Sequence, residues 1–456
     1  MRIVNPADGS LVAEVAEDRP DTVETKVARA RAAQRDWAAS PIESRVSAIR
    51  QFRELIVERT PALARTLTLE MGKPIAQSRR ELAGLLGRID FFVDNVAREL
   101  GDEVVASEPG LEERIAHEPL GVVANISAWN YPYFVGGNVI LPALLTGNAV
   151  LYKPSEYATL TGIELVRTLH DAGVPADVLQ AVVGGGALGR VLLEHAVDGV
   201  FFTGSHATGV KIAESVAPKL VRLQLELGGK DPAYVCDDVD VAGAAAAVAD
   251  GAFYNTGQSC CAVERIYVHE RIWDAFVERF VAEVRGFVLG DPLDEATYIG
   301  PLARRERQIG ELDRQVTDAR SKGARVLTGG GRVERAGWYF EPTVLVDVTH
   351  DMLVMKEESF GPIIGLMSVA SDEQAEELMA DTAYGLTAAV YTPDRMRAER
   401  LLRRLPVGSA YWNCCDRVSP RLPWSGRRNS GIGCTLSSYG IEAFLQPKAF
   451  HLRASS

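Results

Sequence analysis

The sequence has little of what metal centres, disulfide scaffolds and membrane spans require. Its 456 residues include six cysteines and no Cys-x-x-Cys pair, so no metal site is expected. In a reducing compartment these cysteines stay as thiols. No apolar run reaches the roughly 18 residues that a membrane span needs, and the N-terminus lacks the apolar core of a signal peptide. The sequence therefore predicts a cytoplasmic protein.

Positive charge is outnumbered, with 49 Lys and Arg residues against 61 Asp and Glu residues. The formal net charge is -12 at pH 7, so the chain has no general positive field to attract nucleic acid or an anionic membrane, and neither partner is expected. Hydrophobic residues make up 47% of the chain, which is enough for several buried cores. Length as a soft guide suggests about two to four domains.

Helical spacing dominates the first hundred residues. Asp21, with Glu24 three residues later, resembles a capping box at the start of a first helix. A second helix is predicted to end at Gly72, because glycine suits a C-terminal cap and Pro74 prevents the helix from resuming.

The pattern changes near residue 120. Short apolar runs such as "GVVANI", "NAVLYK" and "DGVFFTG" alternate with helical stretches, as is typical of βαβ units in a parallel sheet. A similar alternation after about residue 228 predicts a second α/β lobe, with one of its helices over 241–253. No linker or repeat separates the two lobes, so the boundary is inferred from this rhythm alone.

Three predicted strand ends carry groups suited to a nucleotide. "GGGALG" (184–189) satisfies G-x-G-x-x-G, although such turns are common and the signal is weak. "FFTGSHATG" (201–209) brings a strand to a helix N-terminus, which favours an anion, and "YKPSE" (152–156) ends a third strand. Polar groups at three strand ends of one sheet indicate a ligand along its carboxyl edge.

The stretch "FYNTGQSCCAVER" (253–265) places Cys260 beside Cys261 after a break at Gly257. A loop position suits a nucleophile, whereas a small buried side chain would also explain either cysteine. A reactive thiol needs a base or a lowered pKa, together with donors for the oxyanion that its attack creates. Spacing alone does not supply these partners, so the residues by themselves leave both interpretations open.

Several motifs, in order, resemble the aldehyde dehydrogenase superfamily, from about residue 20 to residue 448. These motifs are "ISAWNYP", "YKPSE", "FTGSHATG", "LELGGKDP", "FYNTGQSC", "EESFGP" and "LPWSGRRNSGIG". The resemblance implies an α/β fold with a Rossmann-like cofactor domain (1–228), an α/β catalytic domain (229–430) and a C-terminal oligomerisation segment (431–456), to which 101–118 contributes. It also implies a homodimer or homotetramer.

The resemblance implies a role for each catalytic position. Cys260 would attack an aldehyde to give a thiohemiacetal, and the side-chain amide of Asn130 would stabilise the oxyanion. After hydride transfer, Glu226 would activate water to hydrolyse the resulting thioester. Cys261 matches no role in this scheme.

The resemblance also implies a dinucleotide site. Glu156 would accept hydrogen bonds from a ribose but would repel a 2′-phosphate, so NAD is expected in preference to NADP. The expected cofactor-binding residues are Ile126, Trp129, Lys153, Ser155, Glu156, Gly185, Gly189, Phe202, Thr203, Gly204, Ser205, Leu227, Glu358 and Phe360.

The sequence departs from the family pattern in three places. Ala128 replaces a frequent proline, and Trp424 with Ser425 replaces the usual Phe-Gly. Cys434 and Thr435 stand where many members have Arg-Glu. That glutamate is often linked to the path of water and protons, so we expect a weaker relay behind Glu226.

Alternatives remain for the function. A CoA-acylating dehydrogenase would use the same thiol but typically lacks the glutamate seen at Glu226. A noncatalytic member of the fold would have lost the nucleophile, the amide or the base, and a cysteine hydrolase would need a histidine partner. The layout resembles the succinate-semialdehyde branch, where Arg417 would bind a substrate carboxylate, but Arg417 is equally consistent with a surface position.

Overall fold

The N-terminal quarter is mainly helical. A computed structural model describes residues 1–454 of the chain. Its first elements are β1 (Arg2–Val4), β2 (Leu11–Glu14), α1 (Pro20–Ala39), α2 (Ile42–Met71), α3 (Ile75–Glu99), β3 (Glu103–Glu108) and β4 (Leu111–Pro119). None of the helices in the described part of the chain has the length and apolarity needed to cross a membrane.

Two predictions about helix ends have different outcomes. α2 ends at Gly72, whose backbone is left-handed with φ of 86°, so this cap is confirmed. The capping box at Asp21 is wrong, because α1 already begins at Pro20 and no side chain caps it. The fixed φ of proline suits the first helical position, so the helix starts two residues earlier than a cap at Asp21 would place it. Asp21 instead accepts a hydrogen bond from Arg19 Nε at 3.1 Å.

Residues 122–226 alternate strand and helix as predicted. The elements are β5 (Val122–Ile126), α4 (Pro132–Leu145), β6 (Ala149–Lys153), α5 (Thr159–Asp171), β7 (Leu179–Ala181), α6 (Gly186–Glu194), β8 (Gly199–Thr203), α7 (His206–Val216) and β9 (Arg222–Glu226).

The second α/β region follows from residue 231, and its first helix has the predicted bounds. The elements are β10 (Asp231–Val235), α8 (Val241–Phe253), β11 (Val263–His269), α9 (Trp273–Arg285), α10 (Glu306–Ser321), β12 (Arg325–Thr328), β13 (Thr343–Val346), α11 (Leu353–Lys356), β14 (Ile363–Val369), α12 (Asp372–Ala380), β15 (Thr387–Tyr391), α13 (Arg395–Leu402), β16 (Ser409–Trp412), β17 (Gly431–Ile432), α14 (Ser437–Glu442) and β18 (Leu445–Arg453).

Two mixed, mainly parallel sheets organise these elements. The first has the order β17-β9-β8-β5-β6-β7 and is parallel except for β17. The second has the order β12-β13-β14-β11-β10-β15-β16, with β12 antiparallel. The chain passes from the first sheet to the second between Glu226 and Asp231. An α/β fold with two sheets is therefore confirmed, whereas the proposed domain boundaries at 228 and 430 remain predictions.

A third, antiparallel sheet has the order β18-β4-β3. It contains strands from both segments that were assigned to oligomerisation, although Gly431–Ile432 of the C-terminal segment belongs to the first sheet. The strands of the first sheet matter most for the site, because β5, β6 and β8 are neighbours and end at the same edge.

Candidate active site

Glu226 is the last residue of β9 and is buried, with 7% of its surface exposed. Burial raises the pKa of its carboxyl to about 7, while hydrogen bonds from Thr435 and Gln224 act in the opposite direction. Gln224 Nε2 donates to Glu226 Oε1 at 3.0 Å, and the Thr435 hydroxyl donates to the same oxygen. The carboxylate is thus held through one oxygen, with a pKa suited to exchanging protons near neutral pH.

The strand pair β9–β17 explains why Thr435 reaches this glutamate. Gly431 lies opposite Glu226 across the antiparallel pair, and the chain then returns so that Thr435 pairs with Trp424. Sequence comparison had marked Thr435 only as a departure from the usual glutamate. Its hydrogen bond to Glu226 was not foreseen, because contacts between residues so far apart in sequence leave no periodic signal.

Cys260 lies in the turn that follows α8, and its side chain is half-buried. A left-handed stretch at Asn255, Thr256 and Gly257 directs the chain out of the helix. The side-chain amide of Asn255 then donates to the carbonyl oxygens of Gln258, at 3.0 Å, and Asn130, at 3.2 Å. The cysteine turn is therefore tied directly to the segment that carries Asn130.

The Asn130 segment is held from a second direction by an ion pair. Lys73 Nζ donates to the Asn130 carbonyl at 2.7 Å and pairs with the carboxylate of Glu81. Glu81 in turn accepts from the backbone N–H of Tyr133 at 2.9 Å. Both charged side chains are fully buried. The ion pair positions the loop that leads into α4. From the sequence, the "GKP" turn (72–74) that contains Lys73 was predicted only to end a helix.

The Glu226 segment meets the cysteine turn at Gly229. A Cβ atom at Gly229 would lie 2.8 Å from the Cys260 carbonyl oxygen, so the two backbones approach more closely than any side chain would allow. The three predicted catalytic segments, which carry Asn130, Glu226 and Cys260, are therefore brought together.

Cys261 has a different environment from its neighbour. Its thiol donates to Asp416 Oδ1 at 2.9 Å, and the Ser259 hydroxyl donates to the same atom at 3.0 Å. A hydrogen bond with Cys260, together with burial, raises the pKa of the Cys261 thiol. Burial also raises the pKa of Asp416, to about 6. Cys261 is thus a buried thiol with a fixed partner, and its environment opposes the thiolate form that a nucleophile needs.

The predicted dinucleotide residues line the carboxyl edge of the first sheet and the approach to it. Ile126, Lys153 and Thr203 end the neighbouring strands β5, β6 and β8, and Gly185 precedes α6. Gly189 lies in the first turn of α6, and the remaining positions lie in adjoining strand ends, turns and loops, namely Trp129, Ser155, Glu156, Phe202, Gly204, Ser205, Leu227, Glu358 and Phe360.

The edge of the sheet offers unfilled polar groups that fit a dinucleotide. Lys153 is buried, and its ammonium group has one hydrogen bond, to the Pro154 carbonyl at 3.2 Å. Glu156 is exposed and accepts only a 3.4 Å hydrogen bond from Ser155. An underused cation and carboxylate beside a helix N-terminus match ribose hydroxyls and phosphate oxygens.

The loop before β14 of the second sheet carries two more of the predicted cofactor residues. Glu358 accepts from the Gly229 N–H at 3.0 Å, and burial raises the pKa of its carboxyl to about 8. The Phe360 ring meets the Trp129 ring edge-on, with centroids 5.5 Å apart. Glu358 and Phe360 are therefore in contact with the segments that lead to Glu226 and Asn130.

Comparison with known proteins identifies the family of this chain. The profile of the aldehyde dehydrogenase family matches residues 1–450. A 3,6-anhydro-alpha-L-galactose dehydrogenase of Streptomyces coelicolor is 37% identical over 99% of this chain and 92% of that protein. A succinate-semialdehyde dehydrogenase [NADP(+)] of Deinococcus radiodurans is 36% identical over 98% and 93%.

Solved structures show the same likeness. The crystal structure of a betaine aldehyde dehydrogenase from Staphylococcus aureus in complex with NAD+ superposes with a TM-score of 0.95 at 31% identity, covering 99% of this chain and 91% of that one. This chain therefore belongs to the aldehyde dehydrogenase family. It is an oxidoreductase that converts an aldehyde to a carboxylic acid with a nicotinamide dinucleotide.

The hydrogen bond from Thr435 gives a first prediction. Replacing Thr435 with valine keeps the shape but removes a donor that stabilises the ionised carboxylate, so the pKa of Glu226 should rise by about one unit. Infrared difference spectroscopy of the carboxyl band during pH titration measures this shift, and Glu226→Gln identifies the band.

Thr435→Ser serves as the matched control, because it retains the hydroxyl and should titrate like the parent protein. An unchanged titration in Thr435→Val would show that this hydrogen bond does not set the pKa of Glu226.

Proposed function

We propose that this enzyme oxidises its aldehyde through a covalent bond to Cys260 and that it prefers NAD as the oxidant. The observation that carries the proposal is the junction of the three segments bearing Asn130, Glu226 and Cys260, held by Asn255 and by the contact at Gly229. Two further residues, Lys153 and Glu358, would hold the dinucleotide. When bound, its nicotinamide accepts a hydride from the substrate carbon.

The chain's own residues carry the remaining chemistry. The Cys260 thiolate attacks the carbonyl carbon and forms a carbon–sulfur bond, while the oxygen becomes an oxyanion. The Asn130 amide and the Cys260 backbone N–H donate hydrogen bonds to that oxyanion. Loss of the hydride leaves a thioester on Cys260. Glu226 then takes a proton from water, the hydroxide adds to the thioester, and the adduct collapses to the carboxylic acid and the Cys260 thiolate. Glu226 afterwards releases its proton to solvent.

Cofactor preference follows from the charge at the end of β6. Glu156 accepts hydrogen bonds from ribose hydroxyls, whereas its carboxylate repels a 2′-phosphate. Lys153 supplies a cation to the same edge, but it is buried and donates to the Pro154 carbonyl at 3.2 Å, whereas Glu156 is exposed. The relatives include NAD and NADP users by name, so the preference of this chain rests on Glu156.

We also propose that the enzyme is a homo-oligomer. Both outer strands of the third sheet, β3 and β18, have a free edge, which favours pairing with another chain. Val104 and Val105 on β3 are 59% and 62% exposed, which is unusual for neighbouring apolar side chains on a strand.

The role of Glu226 can be tested by separating the two halves of the reaction. Glu226→Gln should still form the thioester, so rapid mixing of aldehyde and NAD should give a burst of NADH close to one equivalent per site. The steady-state rate should then be lower by a factor of about 100 or more, because the water has lost its base. Absorbance at 340 nm measures both phases.

Cys260→Ala is the matched control, since it should bind NAD yet show neither burst nor turnover. If Glu226→Gln turned over at the parent rate, Glu226 would not be the base for hydrolysis.

Cofactor preference is tested with Glu156→Gln. Removing the carboxylate relieves repulsion of a 2′-phosphate and weakens the contact with the ribose. The ratio of kcat/KM for NADP to that for NAD should therefore rise about tenfold or more. Glu24→Gln, an exposed glutamate on α1, controls for the loss of one negative charge. An unchanged ratio in Glu156→Gln would locate the cofactor preference elsewhere.

A further inference from the structure

Arg88 on α3 is a buried arginine whose donors are largely unused. The residue is 4% exposed, and within the described part of the chain its Nε has no acceptor and its one side-chain hydrogen bond is a long contact of 3.5 Å from Nη1 to the Gly84 carbonyl. Among residues 1–454 it forms no salt bridge. Burying a guanidinium without an acidic partner is costly, so such a group indicates a missing partner.

The other buried arginines show that this fold normally satisfies the group. Arg45 donates four hydrogen bonds to backbone carbonyls, including that of Leu145 at 3.0 Å. Arg265 donates to the Lys230 and Met379 carbonyls, each at 2.9 Å. Arg88 is buried to a similar extent but lacks such acceptors, so burial alone does not explain why its donors are unused.

The guanidinium of Arg88 lies beside the catalytic segments. It stacks 3.5 Å from the centre of the Phe134 ring, and Phe134 is stacked on Tyr131, the neighbour of Asn130. The charges of Glu81 and Glu226 favour the protonated form of Arg88. Burial lowers the pKa of Arg88 to about 10, which leaves the group charged at neutral pH. A cation therefore borders the reacting centre on the side formed by α3 and α4.

Neither nearby acid neutralises this cation. Glu226 presents Oε1 to Gln224 and Thr435 and is not within salt-bridge distance of Arg88. Glu81 is occupied by Lys73 and by the Tyr133 N–H. The dinucleotide residues lie at the sheet edge, whereas Arg88 contacts the first turn of α4. We therefore expect the substrate to supply the hydrogen-bond acceptor for the Arg88 guanidinium.

We propose that Arg88 binds a carboxylate at the far end of the aldehyde, so that the preferred substrates are ω-oxo carboxylic acids. This inference rests on the proposed function, because it assigns the substrate class of the same site. The planar guanidinium matches a carboxylate with two parallel hydrogen bonds, and its position on the Phe134 ring restricts its orientation. The pair forms in a site with little water, where a charged hydrogen bond is strong.

The test compares oxo acids with neutral aldehydes of equal length, namely 4-oxobutanoate with butanal and 5-oxopentanoate with pentanal. The parent enzyme should favour the oxo acid in at least one pair. Arg88→Gln should lower that preference, measured as the ratio of kcat/KM values, by about 10- to 100-fold, mainly through KM. Arg88→Lys should keep part of it. Any general effect of Arg88 on Glu226 acts on both aldehydes and cancels in the ratio.

Arg417→Gln is the matched control, because Arg417 is the other candidate for a carboxylate and its side chain is exposed. It should leave the ratio unchanged. The proposal is overturned if Arg88→Gln alters the ratio less than threefold, or if Arg417→Gln alone abolishes it. If Arg88→Gln oxidises butanal and keeps the parent ratio of kcat/KM for the oxo acid to that for the neutral aldehyde, only the role of Arg88 is contradicted. If the parent enzyme oxidises none of the four compounds, the proposed function is contradicted.

A second measurement uses the parent protein and requires no turnover. Glutarate should slow alkylation of Cys260 by iodoacetamide, followed by peptide mass spectrometry, whereas its uncharged diamide should protect much less. Equal protection by the two compounds, or none by either, contradicts an anion site at Arg88 even if the Arg88→Gln variant fails to fold.

Discussion

The arrangement of the site depends on the hydrogen bonds accepted by the carbonyl oxygen of Asn130. This oxygen accepts hydrogen bonds from the Lys73 ammonium at 2.7 Å and from the Asn255 amide at 3.2 Å. These two donors come from the junction of α2 with α3 and from the cysteine turn. One backbone oxygen therefore joins three segments that are distant in sequence. Because these groups are buried, losing Lys73 would leave the Glu81 carboxylate without its cation in a medium of low polarity and would remove one of the two donors to this oxygen.

Burial of charge is the second organising feature. Glu226, Glu358 and Asp416 all have pKa values raised by burial, and they lie in segments that meet around the cysteine turn. Such groups are costly for folding, and they concentrate where a protein exchanges protons or binds ligands. Glu226 is held by side-chain donors and Glu358 by a backbone N–H, whereas the Arg88 guanidinium has a ring contact and one long hydrogen bond. These environments fit different proposed roles: Glu226 as the base, Glu358 as a contact of the dinucleotide, and Arg88 as a contact of the substrate.

Much of the fold was predictable because it depends on local patterns. The helix over 241–253 and the cap at Gly72 follow from short-range preferences, and the structure confirms both. The capping box at Asp21 failed for a local reason as well, since the proline before it competes for the start of the helix. The family likeness implied positions for Asn130, Glu226 and Cys260, and the structure brings their segments together.

The missing parts are pairings across long stretches of chain. Nothing in the sequence around Thr435 indicates that its hydroxyl reaches Glu226, and the "GKP" turn does not reveal that Lys73 supports Asn130. Arg88 is similar, because helical periodicity cannot tell a satisfied buried arginine from one that lacks an acceptor. These features depend on tertiary packing, which places polar groups opposite one another without any fixed spacing.

The most direct measurement of the central claim is mass spectrometry of the enzyme quenched during turnover, followed by peptide mapping of residues 253–265. A covalent acyl intermediate predicts the added mass of the acyl group on Cys260, with Cys261 unmodified. An adduct on Cys261, or acid product formed with no adduct at any quench time, would contradict catalysis by the Cys260 thiol.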